Sequence, residues 1–358
     1  MENPNLFSAV TVKEMKLRNR VVVSPMQQYS SIDGKVTDWH LVHLGSRAVG
    51  GAGLIITEST AVSPEGRSTL HDAGLYNDEQ RDAWKPIIKF VQQQGSKIAV
   101  QLGHFGSKGS RSHPNEGLKY LSPEEGGWQT KSSSSIAPFP GMSVPVALTI
   151  EEMKIIQQQY ISAAKRAVEA GFDAIEIHAA HGYLFHQFYS SIINHRTDEY
   201  GGSFENRVRF LLETVALVRQ HIPANMPLMI RISAVDYLED EKAWTLDDSV
   251  KLATLLKNAG VDVITASAGG FVFLDKSKVF PAYQVPFAEK IKNETGIITA
   301  TVGAITTPQQ ANDIIANNQA DLIVIAREFL RNPYFATQAA KELGAELPIP
   351  FQYKRVYM

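Results

Sequence analysis

The chain of 358 residues is 44% hydrophobic and 20% charged, which is enough apolar side chain for a large buried core. Its formal net charge of -2 gives no basic field, so neither nucleic acid nor an anionic membrane is expected as a partner. With 0 cysteines it has no disulfide, thiolate metal site, iron–sulfur cluster or thiol nucleophile, which fits a cytoplasmic protein.

From the N-terminus, "MENPNLFSAVTVKEMKLRNR" mixes charge and polarity and has no apolar run of secretory length. No stretch approaches the roughly 18 apolar residues of a membrane helix. Short β-branched runs then recur: "RVVVSPM" (20–26), "LIITEST" (54–60), "KIAVQLGH" (97–104), "AIEIHAA" (174–180), "LMIRIS" (228–233), "VDVITAS" (261–267), "IITATVG" (297–303) and "DLIVIAR" (321–327). They are near-continuously apolar, as strands of a parallel sheet covered on both faces are.

Helical patterns fill the gaps. The segment after Leu148 opens on a capping box of Thr149 and Glu152 and closes on Gly171. Thr245, Asp248 and Gly260 repeat the device, and Thr307, Pro308 and Gln310 open the helix before the eighth strand. Eight regular strand–helix units without a break predict an α/β fold, a single-domain (β/α)8 TIM barrel, over the rival doubly wound sheet. The glycines of "GGAGLIIT" precede their strand instead of following it, which marks a helix end and not a dinucleotide loop. One interruption, residues 105–148, is rich in Gly, Ser and Pro and includes "KSSSS". It reads as a mobile surface loop or as a lid, because loops after strands sit on a barrel's catalytic face.

Chemistry in a barrel collects at the C-terminal ends of the strands. Here these ends deliver Pro25, Met26, Gln27 and Tyr29, then Ser59, Gln101 and His104. Later strands bring His178, His181, Tyr183, Arg231, Gly303 and Arg327. Gly303 and Arg327 end the seventh and eighth strands, where many barrels hold a phosphate. Arg231 lies inside an apolar strand and needs either a carboxylate or an electron-rich ligand. Gln101 also ends an apolar run, and a buried amide wants several hydrogen bonds.

His178 and His181 admit three readings: metal ligands with Glu176 or His104, a satisfied core pair, or paired N–H donors aimed at a carbonyl oxygen. On the third, Tyr183 stands close enough to give a proton. A carbonyl polariser beside an acid, over a phosphate-bearing cofactor, is what a flavin enzyme reducing an activated alkene requires.

"SPMQQYS", "QLGHFGSK", "EIHAAHGYLFHQFYSSIINHRTDEYGGSFENRVRFLLE", "RISAVDY" and "AREFLRNP" resemble the Old Yellow Enzyme family of FMN-dependent ene-reductases, most closely its bacterial thermophilic-like branch. The likeness runs over nearly the whole chain, in order. It implies non-covalent FMN held by Pro25, Met26, Gln27, Ser59, Gln101, Arg231, Gly303, Ala326 and Arg327, with no metal. It implies NADPH or NADH as reductant and an enone, enal or maleimide as substrate. His178 and His181 then bind the carbonyl, Tyr183 gives the proton, and Tyr29 and Lys108 line the substrate pocket. It also implies a homodimer or homotetramer in which the tail (345–358) lies at a subunit interface, with Arg355, beside Tyr353, reaching the neighbouring site. Two departures stand out. Gln27 replaces the branch's cysteine, and Ala326 replaces a glycine beside the expected phosphate, where the backbone N–H serves if φ is negative.

Overall fold

The computed structural model describes residues 4–139, 141–240, 242–272 and 278–357. Eight parallel strands close into a barrel in chain order: β1 (Val21–Val23), β2 (Leu54–Ala61), β3 (Lys97–Gly103), β4 (Ala174–Ala179), β5 (Leu228–Ser233), β6 (Val263–Ser267), β7 (Ile298–Thr301) and β8 (Leu322–Ile325). β8 pairs with β1 through Ile323–Val21 and Ile325–Val23, so no edge is left open. β1 is shorter than its apolar run. Ser24 still donates its N–H to the Ile325 carbonyl at 2.9 Å, but Pro25 has no N–H to continue the ladder.

The outer ring comprises α1 (Asp38–Val49), α2 (Asp78–Gln93), α3 (Ile150–Ala170), α4 (Phe204–His221), α5 (Leu246–Asn258), α6 (Val285–Thr295), α7 (Pro308–Ala316) and α8 (Phe335–Glu342). Their starts follow the caps read from sequence. The Thr149 side chain accepts from the Glu152 N–H while the Glu152 carboxylate accepts from Thr149, and Gly171 ends α3 at φ 96. Thr245 and Asp248 do the same for α5, and the Thr307 hydroxyl accepts from Gln310 at the start of α7. The Gln310 amide oxygen, however, accepts from Thr306 at 3.0 Å, one residue before the cap. The early glycines do end a helix: Gly50 caps α1 and Gly51 follows at φ 93.

Side chains alternate between lumen and helix layer along each strand. The lower lumen is apolar, filled by Val22, Leu54, Ile56, Ala99, Ala174, Met229, Val263, Ala300, Leu322 and Val324. A hairpin of Val10–Val12 and Met15–Leu17 packs its apolar side chains into the same cluster and stops the barrel's floor. Two residues higher in the same rows the lumen turns polar, with Gln101, Glu176, Arg231 and Thr265, and above them His178, Ser233 and Ser267. A register shift between Ile56 and Ser59 in β2 sets Ser59 opposite Gln101.

Three aspartates lock the lower rim. Asp173, Asp262 and Asp321 each donate N–H to the preceding strand, at Ile98, Leu228 and Thr299, at 2.8 to 2.9 Å. Each carboxylate accepts in return from the N–H of that same residue, at 2.9 to 3.0 Å. Each is also paired with a cation: Asp173 with Lys97, Asp262 with Lys13 and Arg219, and Asp321 with Lys292.

The 105–148 insertion is better anchored than a Ser-rich loop suggests. Ser132, Ser133 and Ser134 are buried. The Ser133 hydroxyl donates to the Gln187 carbonyl at 2.5 Å, and Ser134 accepts the His195 N–H at 2.9 Å. Arg196 donates to the Ser133 and Leu148 carbonyls, so the serine run serves as buried polar wiring.

Asp173→Ala leaves the Ile98 N–H and the Lys97 ammonium without their acceptor. A loss of about 1–3 kcal/mol in urea-denaturation stability is expected, with ligand binding at the opposite end of the barrel unchanged.

Candidate active site

β4 directs Glu176 and then His178 into the lumen. The chain next turns sharply, with His181 at φ 58 and Gly182 at φ 71, before Tyr183 opens a short helix, Leu184–Tyr189. Glycine is required at 182, because a Cβ there would lie 2.5 Å from the Gly270 carbonyl oxygen and 2.6 Å from Lys108 Nζ. The turn is held from behind. His186 Nδ1 accepts the Gly182 N–H at 2.8 Å, and His186 Nε2 faces Asp236 at 2.7 Å. Asp236 in turn accepts from Ser190 Oγ and from the Trp244 N–H. From the front, the Lys108 ammonium donates to the His181 carbonyl at 2.7 Å and to the Gly270 carbonyl.

This scaffold brings the three expected side chains together. The ring centroid of Tyr183 is 4.7 Å from that of His178 and 6.2 Å from that of His181. His178 Nδ1 accepts the Ala180 N–H at 3.1 Å, which puts the His178 proton on Nε2. That Nε2 lies 3.3 Å from His181 Nδ1, and His181 Nε2 lies 2.8 Å from Ser267 Oγ. Burial, with the Arg231 guanidinium as second cause, holds both imidazoles well below the usual histidine range. Near pH 7 they are neutral N–H donors. Burial raises the Tyr183 phenol, which therefore keeps its proton.

Three connected chambers surround the group. An inner one of about 220 Å³ is lined by Pro25, Gln27, Tyr29, Ser59, Gln101, His178, His181, Tyr183, Arg231 and Ala326. A second, of about 550 Å³, shares His181 and Arg231 and continues to Gly303, Ala326 and Arg327 at the ends of β7 and β8. The third, of about 930 Å³, shares Tyr29 and Tyr183 and opens past Lys108. So of the residues expected at the site, all but two line this continuous space. Met26 packs against the hydrophobic core. Arg355 is exposed in the C-terminal Lys354–Tyr357 turn and lines none of the three chambers of its own chain. Beside it, Tyr353 meets Tyr334 edge-on.

The polar groups fit a planar heterocycle carrying a phosphate. Ser59 Oγ and Arg231 Nε are buried without a hydrogen-bond partner. Arg231 reaches Ser24 Oγ at 3.3 Å and has no carboxylate within ion-pair distance among the described residues. This favours an electron-rich ligand over an acidic partner. At Gly303, φ is 116 and a Cβ would press to 3.0 Å of Gln284 and Tyr283. Ala326 has φ -105, so its methyl group does not cost the backbone N–H its conformation. The Gln27 amide is fixed: it donates to the Ser59 carbonyl at 3.3 Å. A metal reading has no support in this geometry. The Glu176 oxygens are taken by Gln101 at 2.7 Å and Thr265 at 2.8 Å, and among the described residues no three metal-ligating side chains converge.

The model of the NADH:flavin oxidoreductase / NADH oxidase family matches residues 5–346. The chain belongs to that family. It is of the Old Yellow Enzyme type, an NAD(P)H-dependent flavin oxidoreductase with FMN as cofactor. It is 46% identical over 352 residues to an NADPH dehydrogenase of Bacillus subtilis (strain 168), with 98% of each chain covered. A Bacillus velezensis NADPH dehydrogenase is also 46% identical, over 355 residues, with 98% of this chain and 99% of the relative covered. Among solved structures, morphinone reductase in complex with tetrahydroNAD superposes with a TM-score of 0.77 at 29% identity. That match covers 97% of this chain and 93% of the other.

Sequence reasoning missed several residues that line or brace these chambers. Ser267 and Gln284, which line the second chamber, sit on or after a strand that otherwise reads as plain apolar wall. Period-two alternation from Val263 would have put Ser267 in the lumen. His186 and Asp236 were also missed, although His186 lies four residues after Gly182 on a helical turn. Arg111 and Phe105 line the outer chamber from the insertion, where no periodicity was available to place them.

Burial, with Arg111 as second cause, lowers the Lys108 pKa to about 7 from its ordinary 10.5. Between those values the unfolded chain holds a proton that the folded chain has lost, so wild-type stability rises with pH through this window. Lys108→Met removes that titration. Urea denaturation should show wild type gaining on the variant from pH 7 to 9, and a pH-independent difference would rule out a clasp titrating near neutrality.

Proposed function

We propose that this flavin oxidoreductase reduces the C=C bond of α,β-unsaturated carbonyl compounds: enones, enals and maleimides. What carries the reading is the convergence of two neutral imidazole donors and a protonated phenol on one small chamber beside a guanidinium with no carboxylate at ion-pair distance among the described residues. FMN, when bound, supplies hydride from N5 of its reduced ring, with NADPH or NADH as the source of electrons. Pro25, Gln27, Ser59, Gln101 and Arg231 would hold the ring and ribityl portion, while Gly303, Ala326 and Arg327 would hold the phosphate. The fixed Gln27 amide stands where a thiol is usual in the branch, and hydride transfer does not use that side chain.

His178 donates its Nε2–H to the substrate carbonyl. His181 joins it from Nδ1 in the tautomer that carries its one proton there, with Nε2 then accepting from the Ser267 hydroxyl 2.8 Å away. Two N–H groups on one oxygen draw electron density from the β-carbon. Tyr183 then protonates the α-carbon from its own side of the chamber. Tyr29 and Lys108 bound the substrate space, and the 105–148 insertion covers it. We further propose a cytoplasmic homodimer or homotetramer in which the 345–358 tail lies at the interface and Arg355 reaches the neighbouring site.

The deciding experiment is an anaerobic titration of the purified holoenzyme with NADPH and then cyclohexenone, followed by visible absorbance. The yellow colour should bleach and then return. A protein that bleaches but stays reduced with excess enone is not an alkene reductase. His178→Ala is expected to weaken carbonyl or phenol ligands and slow reoxidation by about a hundredfold, the cost of one oxyanion-type donor. Tyr183→Phe should slow enone turnover and leave flavin reduction by NADPH normal; loss of both half-reactions would remove the tyrosine from the proton-donor role.

A further inference from the structure

The outer chamber of about 930 Å³ has two cationic side chains in its wall, Lys108 and Arg111, and no carboxylate among its described lining residues. Arg111 is firmly based: its N–H donates to the Ser68 carbonyl at 2.8 Å, and its backbone bridges to Thr69 and Tyr120. Its guanidinium makes no hydrogen bond or ion pair among the described residues, and its Nε is buried. Asp72, the buried acid behind this wall, is already occupied by the N–H and hydroxyl of Ser68 and the hydroxyl of Thr69. Lys108 spends two of its three N–H donors on the His181 and Gly270 carbonyls and has one left. The remaining wall is largely apolar, including Phe105, Leu118, Phe139 and Met142.

Two cations drawn together in a partly desolvated apolar chamber repel each other. Arg111 is the second cause, after burial, of the weakened proton affinity of Lys108. A guanidinium fork without a partner has its strongest complement in a carboxylate or phosphate. We propose that Arg111 and Lys108 form an anion subsite that selects unsaturated carbonyl substrates with an apolar body and a carboxylate at the end remote from the double bond. This rests on the alkene-reductase reading above. The chamber adjoins Tyr183 directly, so the reacting end faces the phenol while the acid end meets the cations. The phosphates of the nicotinamide dinucleotide are the other anion that visits this face, and the test separates the two.

The probes are 4-carboxycinnamaldehyde and its methyl ester, which differ in charge at the distal end. Wild type should favour the acid by about tenfold or more in kcat/KM, as one charge-assisted pair provides. Arg111→Met should bring the acid-to-ester ratio close to one, while Arg111→Lys keeps part of it, because a charge remains without bidentate pairing. The same ratio read as Kd, from the flavin absorbance of the oxidised holoenzyme, scores a variant that turns over slowly. Equal use of acid and ester by wild type overturns the subsite and leaves alkene reduction standing. So does a preference that survives Arg111→Met while the KM for NADPH rises, which would make Arg111 a reader of the reductant. Failure to reduce either aldehyde overturns the alkene-reductase reading itself, and the subsite with it.

Discussion

Closure of eight parallel strands forces every second side chain into the lumen, away from bulk solvent, and the rest of the molecule is arranged around that constraint. Each strand carries one row inward. At the floor the rows are apolar and the N-terminal hairpin seals them. Two residues higher the same rows hold Gln101, Glu176, Arg231 and Thr265. Polar groups at that depth must be bonded to one another or to a ligand. Glu176 is satisfied internally by Gln101 and Thr265. Arg231 Nε and Ser59 Oγ are not. The lumen therefore divides into a self-sufficient floor and a ceiling that is complete only with a bound group, which suits a flavin oxidoreductase.

The donors above that ceiling depend on a backbone conformation that the barrel itself does not impose. His181 and Gly182 both take positive φ, and Lys108, His186 and Asp236 fix them from opposite sides. The ion–dipole contacts of Lys108 join the insertion after β3 to the turn after β4 and the loop after β6. Position and protonation are thus coupled. The groups that orient His181 also surround it with positive charge and remove water, which keeps its imidazole neutral and able to donate.

Much of this was open to reading in the primary structure. The eight apolar runs, the caps at Thr149, Thr245 and Thr307, and the family motifs from Pro25 to Arg327 all depend on local spacing, which a linear chain displays. The insertion was hardest to read. Its serines look solvated in sequence, yet Ser133 and Ser134 are bonded to Gln187 and His195, more than fifty residues away. Composition records polarity but not the partner that makes burial of a polar group tolerable.

By itself, the sequence determined the barrel, because period-two and 3.6-residue patterns are properties of neighbours along the chain, while its motifs carried the family and the residue types at the strand ends. The tertiary structure alone decided which of those groups are left without partners. It closes Glu176 off against Gln101 and Thr265, leaves Arg231 and Arg111 with no carboxylate at ion-pair distance among the described residues, and sets Ser267 against His181. The reason is geometric. Satisfaction of a buried donor depends on distances between strands and loops that lie far apart in sequence, and these distances exist only once the ring has closed.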